Sequence, residues 1–123
     1  MYNKNYFITG GSGFLGKNFI EILKEKKLNN KKIYILSRKT NKNSKNLIWI
    51  KGDLKKNCIK YFKKTDTIFH FMTTLNSKSS LEKFLNLDFI ETFNFFEKAR
   101  KCGVKNFFFI GSSFEIGLNK KSK

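Results

Sequence analysis

Eight residues near the start of the chain, Thr9-Gly10-Gly11-Ser12-Gly13-Phe14-Leu15-Gly16, carry two overlapping glycine spacings. Gly11, Gly13 and Gly16 fit G-x-G-x-x-G, and Gly10, Gly13 and Gly16 fit T-G-x-x-G-x-x-G. Asn5-Tyr6-Phe7-Ile8 before them reads as a short buried strand, and Lys17 to Lys24 after them as an amphipathic helix. A glycine turn in that setting brings bare backbone N–H groups up to a diphosphate, so dinucleotide binding is the chemistry it implies. The second informative site is the end of the second expected strand, Ser37-Arg38-Lys39. An acid there would accept hydrogen bonds from the adenosine ribose and select NAD. No acid is present. Arg38 can pair with a 2′-phosphate through its fork of donors, and Ser37 can hydrogen-bond the same group. NADP is therefore expected over NAD, against the alternative of an ordinary basic loop in a lysine-rich chain.

The elements that must position these residues alternate strand and helix. Residues 5–9, Ile33–Leu36, Leu47–Ile50, Thr67–Phe71 and Asn106–Ile110 read as five strands. Residues 14–28 read as a helix with Phe14, Leu15, Phe19, Ile22 and Leu23 on one side, broken by Asn29-Asn30. A short helix is expected over 55–63, carrying Cys58, Ile59 and Phe62. A long one is expected over 80–102, with Leu81, Phe84, Leu85, Phe89, Phe93, Phe96 and Ala99 in phase, and Cys102-Gly103 as a glycine stop. Lys98, Arg100 and Lys101 suit the negative end of its dipole. Short continuous apolar strands between helices indicate a parallel sheet covered on both faces. The glycine turn after strand one makes it doubly wound, with expected order 3-2-1-4-5. Strand five would leave an unpaired outer edge.

The chain has 123 residues, enough for one domain, with 40% apolar residues, 15 Phe and no Pro. Its formal net charge is +17. Lys replaces Arg almost everywhere and Asn and Ile are abundant, the bias of an AT-rich genome. The lysines are spread over helix faces and loops and do not form an arginine-rich helix or an aromatic-interleaved basic strand. A solvated basic surface is therefore expected rather than a nucleic-acid or membrane surface; charge-driven nucleic-acid binding would be sequence-blind and strongly salt-dependent. Cys58 and Cys102 fall outside any CxxC pattern, so neither a disulfide nor a metal site is expected, and a reducing cytoplasm fits. No apolar run approaches a membrane span, and the glycine motif begins too early to leave room for a signal peptide.

Further motifs follow in order. They are Gly52-Asp53-Leu54 after strand three, Asp66-Thr67-Ile68-Phe69-His70-Phe71-Met72-Thr73 at strand four, Thr92 to Val104, and Gly111-Ser112-Ser113-Phe114-Glu115-Ile116-Gly117. With the glycine turn, this set resembles the N-terminal half of the extended short-chain dehydrogenases/reductases, the NAD-dependent epimerase/dehydratase family. The resemblance implies a Rossmann-like fold, truncated here after about five strands, spanning 1–123 without the substrate domain. It implies that Gly10, Ser12, Gly13, Phe14 and Leu15 lie along the diphosphate, and that Gly16 lets the helix approach the sheet. Asp53 and Leu54 would meet the adenine, although Asp53 also reads as a plain turn residue. Phe71, Met72 and Thr73 would line the groove beside the ribose. Ser112 would be the catalytic hydroxyl on the substrate oxygen, with Ser113 taking that place if the register slips by one. His70 reads as a core residue rather than a catalytic one.

The chain departs from the family pattern at several points. Met72-Thr73 is bulkier than the usual Ala pair, Asp88 stands for Asn, Glu91 for Gly, and Ile116 for Tyr. No Tyr occurs after Tyr61, so the family's Tyr-x-x-x-Lys proton-transfer pair is absent from these residues. The resemblance then implies the cofactor-binding part of a longer epimerase, dehydratase or reductase acting on a nucleotide sugar by hydride transfer, inactive in this form. A non-catalytic NADP(H)-binding sensor or interaction module is the alternative. Relatives often dimerise through the helix equivalent to 80–102 and the helix after strand five, of which only the first is present here, so a homodimer is compatible with the sequence, which does not set the oligomeric state.

Overall fold

A computed structural model describes residues 5–26, 28, 30–55, 58–72 and 80–110, the side chains of residues 84 and 87 excepted. Five strands form one parallel sheet: β1 Asn5–Thr9, β2 Ile33–Ser37, β3 Leu47–Lys51, β4 Thr65–His70 and β5 Asn106–Phe109. Their spatial order is β3-β2-β1-β4-β5, the expected doubly wound arrangement. Thr9 pairs with Leu36 on one side and His70 on the other. The carboxyl end of β1 thus sits at the point where the strand order reverses, which is where open α/β sheets bind ligands.

Alternation along the strands feeds two cores, one on each face. Ile8, Ile33, Ile35 and Leu47 pack with Ile20 and Leu23 of helix α1, Phe14–Glu25. Phe7, Tyr34, Leu36, Ile50 and Ile68 pack with Phe62 of the short helix α2, Ile59–Phe62, and with Phe95 and Ala99. Every residue of β2 is buried, which is why it reads as an uninterrupted apolar run.

The helices differ from the sequence reading in phase and length. Helix α1 ends at Glu25, and Asn30 adopts φ 61°. Its buried side is Gly16, Ile20 and Leu23, with Phe19 packed against them, whereas Phe14, Leu15 and Ile22 face outward. Gly16 seats against the Gly10–Gly11 backbone, which puts Ile20 and Leu23 on the inner side and leaves Phe14 and Leu15 outside. The expected helix over 55–63 contracts to α2; Cys58 is buried as its N-cap and Ile59 is exposed.

The expected single helix over 80–102 is three consecutive segments. Helix α3, Leu81–Phe84, is capped by Ser80, whose hydroxyl accepts from Lys83 N–H at 3.2 Å. A π-helical stretch spans Leu85–Glu91, and helix α4 spans Thr92–Lys101. The wider π turn rotates the helix phase. Leu81, Leu85, Phe89 and Phe93 therefore stay exposed, and Thr92, Phe95 and Ala99 face the core. The stop of α4 is as expected: Gly103 takes φ 95°, Gly103 N–H bonds Arg100 O at 3.0 Å and Val104 N–H bonds Ala99 O at 3.1 Å. This is a Schellman ending sealed by buried Val104 and Ala99.

Candidate dinucleotide-binding site

The turn between β1 and α1 is shaped by backbone contacts. Gly10 has φ 70°, and a Cβ there would lie 2.8 Å from the Phe71 carbonyl carbon and 2.9 Å from Met72 N. The chain leaving β1 therefore runs directly against the chain leaving β4. A Cβ on Gly11 would strike the Ile35 side chain. One on Gly16 would strike the Gly10 carbonyl oxygen and lie 2.9 Å from Gly11 Cα, so the first turn of α1 seats on the loop itself. Gly13 is different. Its φ of −78° and ψ of 173° are extended backbone open to any residue. A Cβ there would meet only Gly10 O, at an ordinary 3.4 Å. Nothing in the described protein requires glycine at this position.

The turn is closed by Gly13 N–H to Gly10 O at 3.1 Å and Lys17 N–H to Gly13 O at 2.9 Å. Helix α1 has no side-chain cap and no acid in its first turn. The N–H groups of Phe14, Leu15 and Gly16 thus lack partners within the helix, and its dipole's positive end faces outward. A diphosphate fits this cradle: donors converge on it, no acid in the first turn opposes it, and the side at Gly13 is open.

Beside the cradle stands the end of β2. Ser37 is 2% exposed. Its hydroxyl shares a hydrogen bond with Ser12 Oγ at 2.9 Å and accepts from Lys39 N–H at 3.2 Å. Ser12, Arg38 and Lys39 are exposed. Beyond β3, Asp53 Oδ1 accepts from Lys55 N–H at 2.9 Å, so its carboxylate does hold a turn. The Leu54 side chain is in the core, which leaves its backbone for any outward contact. Lys55 Nζ lies 3.0 Å from Glu91 Oε1, tying this loop to the π stretch. A cavity of about 580 Å³ lined by Leu54, Lys55, Asn86, Ile90 and Asn94 opens next to it.

At the end of β4, Phe71 N–H bonds Thr9 O at 3.2 Å, and the Phe71 ring lies 5.3 Å from that of Phe19. Phe71 and Met72 are half-buried. Thr9 Oγ1 and His70 Nδ1 are 2.8 Å apart, with both residues buried. Burial disfavours the imidazolium and outweighs the pull of Asp88, which lowers the His70 pKa to about 4. His70 is thus a neutral core residue. Burial likewise pushes the Cys58 thiol up to about 12, so it is no nucleophile.

The structure brings Gly10, Ser12, Gly13, Phe14, Leu15, Gly16, Ser37, Arg38, Asp53, Leu54, Phe71 and Met72 to the carboxyl ends of the strands. Thr73, Ser112 and Ser113 lie outside the described residues. Sequence reading missed the Ser12–Ser37 bond, the Thr9–His70 pair and the Lys55–Glu91 bridge. Each joins loops far apart in sequence, and no local spacing signals it.

The model of the family described as "NAD dependent epimerase/dehydratase family" matches residues 6–123. No curated protein matches the chain. Among solved structures, UDP-glucuronic acid 4-epimerase from Bacillus cereus, in complex with NAD, is similar at TM-score 0.76 and 13% identity, over 93% of this chain and 42% of that one. The Bordetella bronchiseptica enzyme WbmH, in complex with NAD+, is similar at TM-score 0.72 and 18% identity, over 93% of this chain and 40% of that one. MoeE5, in complex with UDP-glucuronic acid and NAD, is similar at TM-score 0.71 and 21% identity, over 84% of this chain and 35% of that one. The chain therefore spans less than half the length of these proteins. These likenesses show the fold, and the family model, which covers nearly all of the sequence, shows more: the chain belongs to the NAD dependent epimerase/dehydratase family.

Proposed function

We propose that this chain forms the NAD(P)-binding part of an enzyme that epimerises, dehydrates, oxidises or reduces a nucleotide sugar. The observation that carries the reading is Gly13, where neither backbone conformation nor any protein contact calls for glycine. A glycine is needed there if a diphosphate lies against it. The uncapped first turn of α1 supplies the donors. Gly10, Ser12, Phe14 and Leu15 line the diphosphate, and Phe71, Met72 and Thr73 flank the ribose. Asp53 contacts the adenine with its carboxylate and Leu54 with its backbone.

NADP is the preferred form, on the strength of Arg38 and the lack of an acid at the end of β2. The similar structures are complexes with NAD, so an NADP preference would set this chain apart from them. The nicotinamide supplies hydride exchange with a substrate carbon. Ser112 holds the substrate oxygen; the 123 residues carry no Tyr-x-x-x-Lys pair after it and by themselves turn over nothing. Cys58 and Cys102 are not joined in a disulfide, which suits a reducing cytoplasm. Among the described residues no helix is long and apolar enough to cross a membrane.

The test is Gly13→Ala. The thermal transition should stay where it is, while affinity for NADPH drops at least tenfold because the added methyl occupies the diphosphate's place. Unchanged affinity would remove the glycine argument.

A second copy of the chain is the partner for the exposed ridge Leu81, Leu85, Phe89 and Phe93, whose members are 46–73% exposed at four-residue spacing. Phe93→Asp should turn a dimer into a monomer in sedimentation, and a species of unchanged mass would refute the assignment.

A further inference from the structure

In a parallel sheet every strand starts at the same end, and the crossover helices deliver their carboxyl ends there. Lys32 directly precedes β2, Lys64 precedes β4, Lys105 precedes β5, and Lys45 lies two residues before β3. All four are exposed. Far apart along the chain, they form one row across the end of the sheet opposite the glycine turn. Neighbouring strands lie about 4.8 Å apart, so the row spans roughly 19 Å. Its backbone is pinned. The Asn5 side chain links two strand starts, donating to Lys64 O at 2.7 Å and accepting from Lys32 N–H at 3.0 Å. Lys105 N–H bonds Asp66 O at 3.0 Å, and Asn46 O, beside Lys45, accepts from Ile33 N–H at 2.7 Å. Helix ends add Lys26, Lys63 and Lys101. The helix dipoles account for those three, and not for Lys32 or Lys45, which follow no helix directly. Acids at this end are engaged: Glu21 holds Lys24 at 2.7 Å, Glu97 holds Arg100 at 3.1 Å, and Asp66 accepts from Asn106 at 3.2 Å. Glu25, the last residue of α1, is the other acid here among the described residues.

We propose that this row is a docking surface for single-stranded nucleic acid, held by its phosphates without regard to base sequence. It lies at the opposite end of the sheet from the dinucleotide site and does not depend on it. A linear polyanion sheds counterions onto a row of cations, and that release drives association. Because the backbone of the row is already fixed, little ordering is needed on binding. Lysine offers a point charge, so it holds phosphates rather than base edges. Two features favour a single strand over a lipid surface. The sheet's twist turns strand direction by roughly 80–100° from β3 to β5, so the row winds; a flexible strand follows it and a plane touches only part of it. Among the described residues no exposed large apolar side chain stands at a strand start, whereas surfaces that lie on a bilayer bury apolar side chains in it. The expectation of an ordinary solvated surface rested on the lysines being dispersed in sequence, and the parallel sheet undoes that dispersal.

The experiment follows the fluorescence anisotropy of a labelled oligothymidylate of about 20 residues, longer than one site of this kind, as the purified chain is added at several salt concentrations. Binding is expected at low salt, with log K falling against log salt at a slope of about −3, the value for four phosphates of a single strand. The variant Lys32→Gln/Lys45→Gln/Lys64→Gln should weaken binding at least about tenfold and bring the slope to about −1. Each single glutamine variant should reduce the slope by about 0.7, and reads the row if the triple variant fails to fold. The matched variant Lys42→Gln/Lys51→Gln/Lys83→Gln removes the same charge toward the other end of the sheet and should leave affinity within about threefold, because salt confines each lysine's field to its neighbourhood. Saturating NADPH should change nothing. Equal losses from the two triple variants would reduce the effect to net charge, and no binding at low salt would leave a solvated surface. Competition by NADPH would move the strand to the glycine turn, and tighter association with phosphatidylglycerol vesicles would make the partner a membrane. Each of these four results overturns the proposal.

Discussion

The glycine turn and the helix leading to the β5 edge treat their diagnostic residues in opposite ways. In the turn, Gly10, Gly11 and Gly16 each meet a neighbour that a Cβ would strike, whereas at Gly13 it would make only an ordinary contact with Gly10 O. Residue type there is dictated atom by atom. In the stretch from Leu81 to Phe109 aromatics outnumber the places that can bury them. Phe95 is 1% exposed, while Phe89, Phe93, Phe108 and Phe109 are more than half exposed. A phenylalanine in that region does not report the core by its presence alone. The difference teaches that glycine spacing encodes backbone approach, which composition bias cannot imitate, whereas aromatic spacing in a chain with 15 Phe is easily imitated.

The largest expected effect tests whether the π stretch really resets the helix phase. Phe95 contacts the rings of Phe7 at 5.9 Å, Phe62 at 5.1 Å and Phe96 at 5.8 Å. Phe95→Ala should destabilise the fold by about 3–5 kcal/mol, the usual cost of emptying a buried aromatic site. Phe93→Ala, at protein concentrations where the chain is monomeric, should change stability by less than about 0.5 kcal/mol. Denaturant titrations of the two variants measure both. An uninterrupted helix in the phase expected from sequence would give the reverse order, and the contrast between the two regions would collapse.

That contrast also marks how far the sequence could be read. The strand order, the parallel pairing, the glycine turn and the Gly103 stop were legible because each depends on local chemistry: continuous apolar runs, glycines at fixed spacing, a residue that must take φ 95°. The buried side of α1 was misread because Ile22 and Leu23 are equally apolar and only tertiary packing chooses between them; Leu23 is buried and Ile22 is not. The π stretch was invisible because Leu85–Glu91 has the composition of any amphipathic helix. In the candidate site, the backbone cradle could be placed from spacing. The Ser12–Ser37 bond and the Lys55–Glu91 bridge needed three-dimensional neighbours. Asp53 had two readings in the sequence, and its bond to Lys55 N–H supports the turn role without removing the other.

The smaller prediction concerns the residue that joins the two regions. His70 touches Thr9 at the mouth of the glycine turn and stacks on Phe109 of the edge strand, with ring centroids 5.5 Å apart. Its folded pKa of about 4 lies below the ordinary 6.5 because burial opposes the charge. Between those values the unfolded chain binds a proton that the folded chain does not, so stability must rise with pH across that window. The stabilisation is fully present above pH 6.5 and is lost as pH falls toward 4. The full shift corresponds to about 3 kcal/mol. Urea titrations at half-unit steps of pH should show that loss in the wild type. His70→Gln should lack the component between pH 6.5 and 4, because glutamine cannot take the proton; the carboxylates then contribute equally to both profiles. Parallel profiles would mean that His70 is more accessible to water than its 2% exposure indicates. A divergent pair would locate an acid-sensitive joint between a turn whose residues are individually dictated and an edge whose residues are not. Acid should then loosen the Thr9–His70 contact and the β4–β5 pairing together, an outcome that amide exchange at Phe71 and at Phe109 can follow.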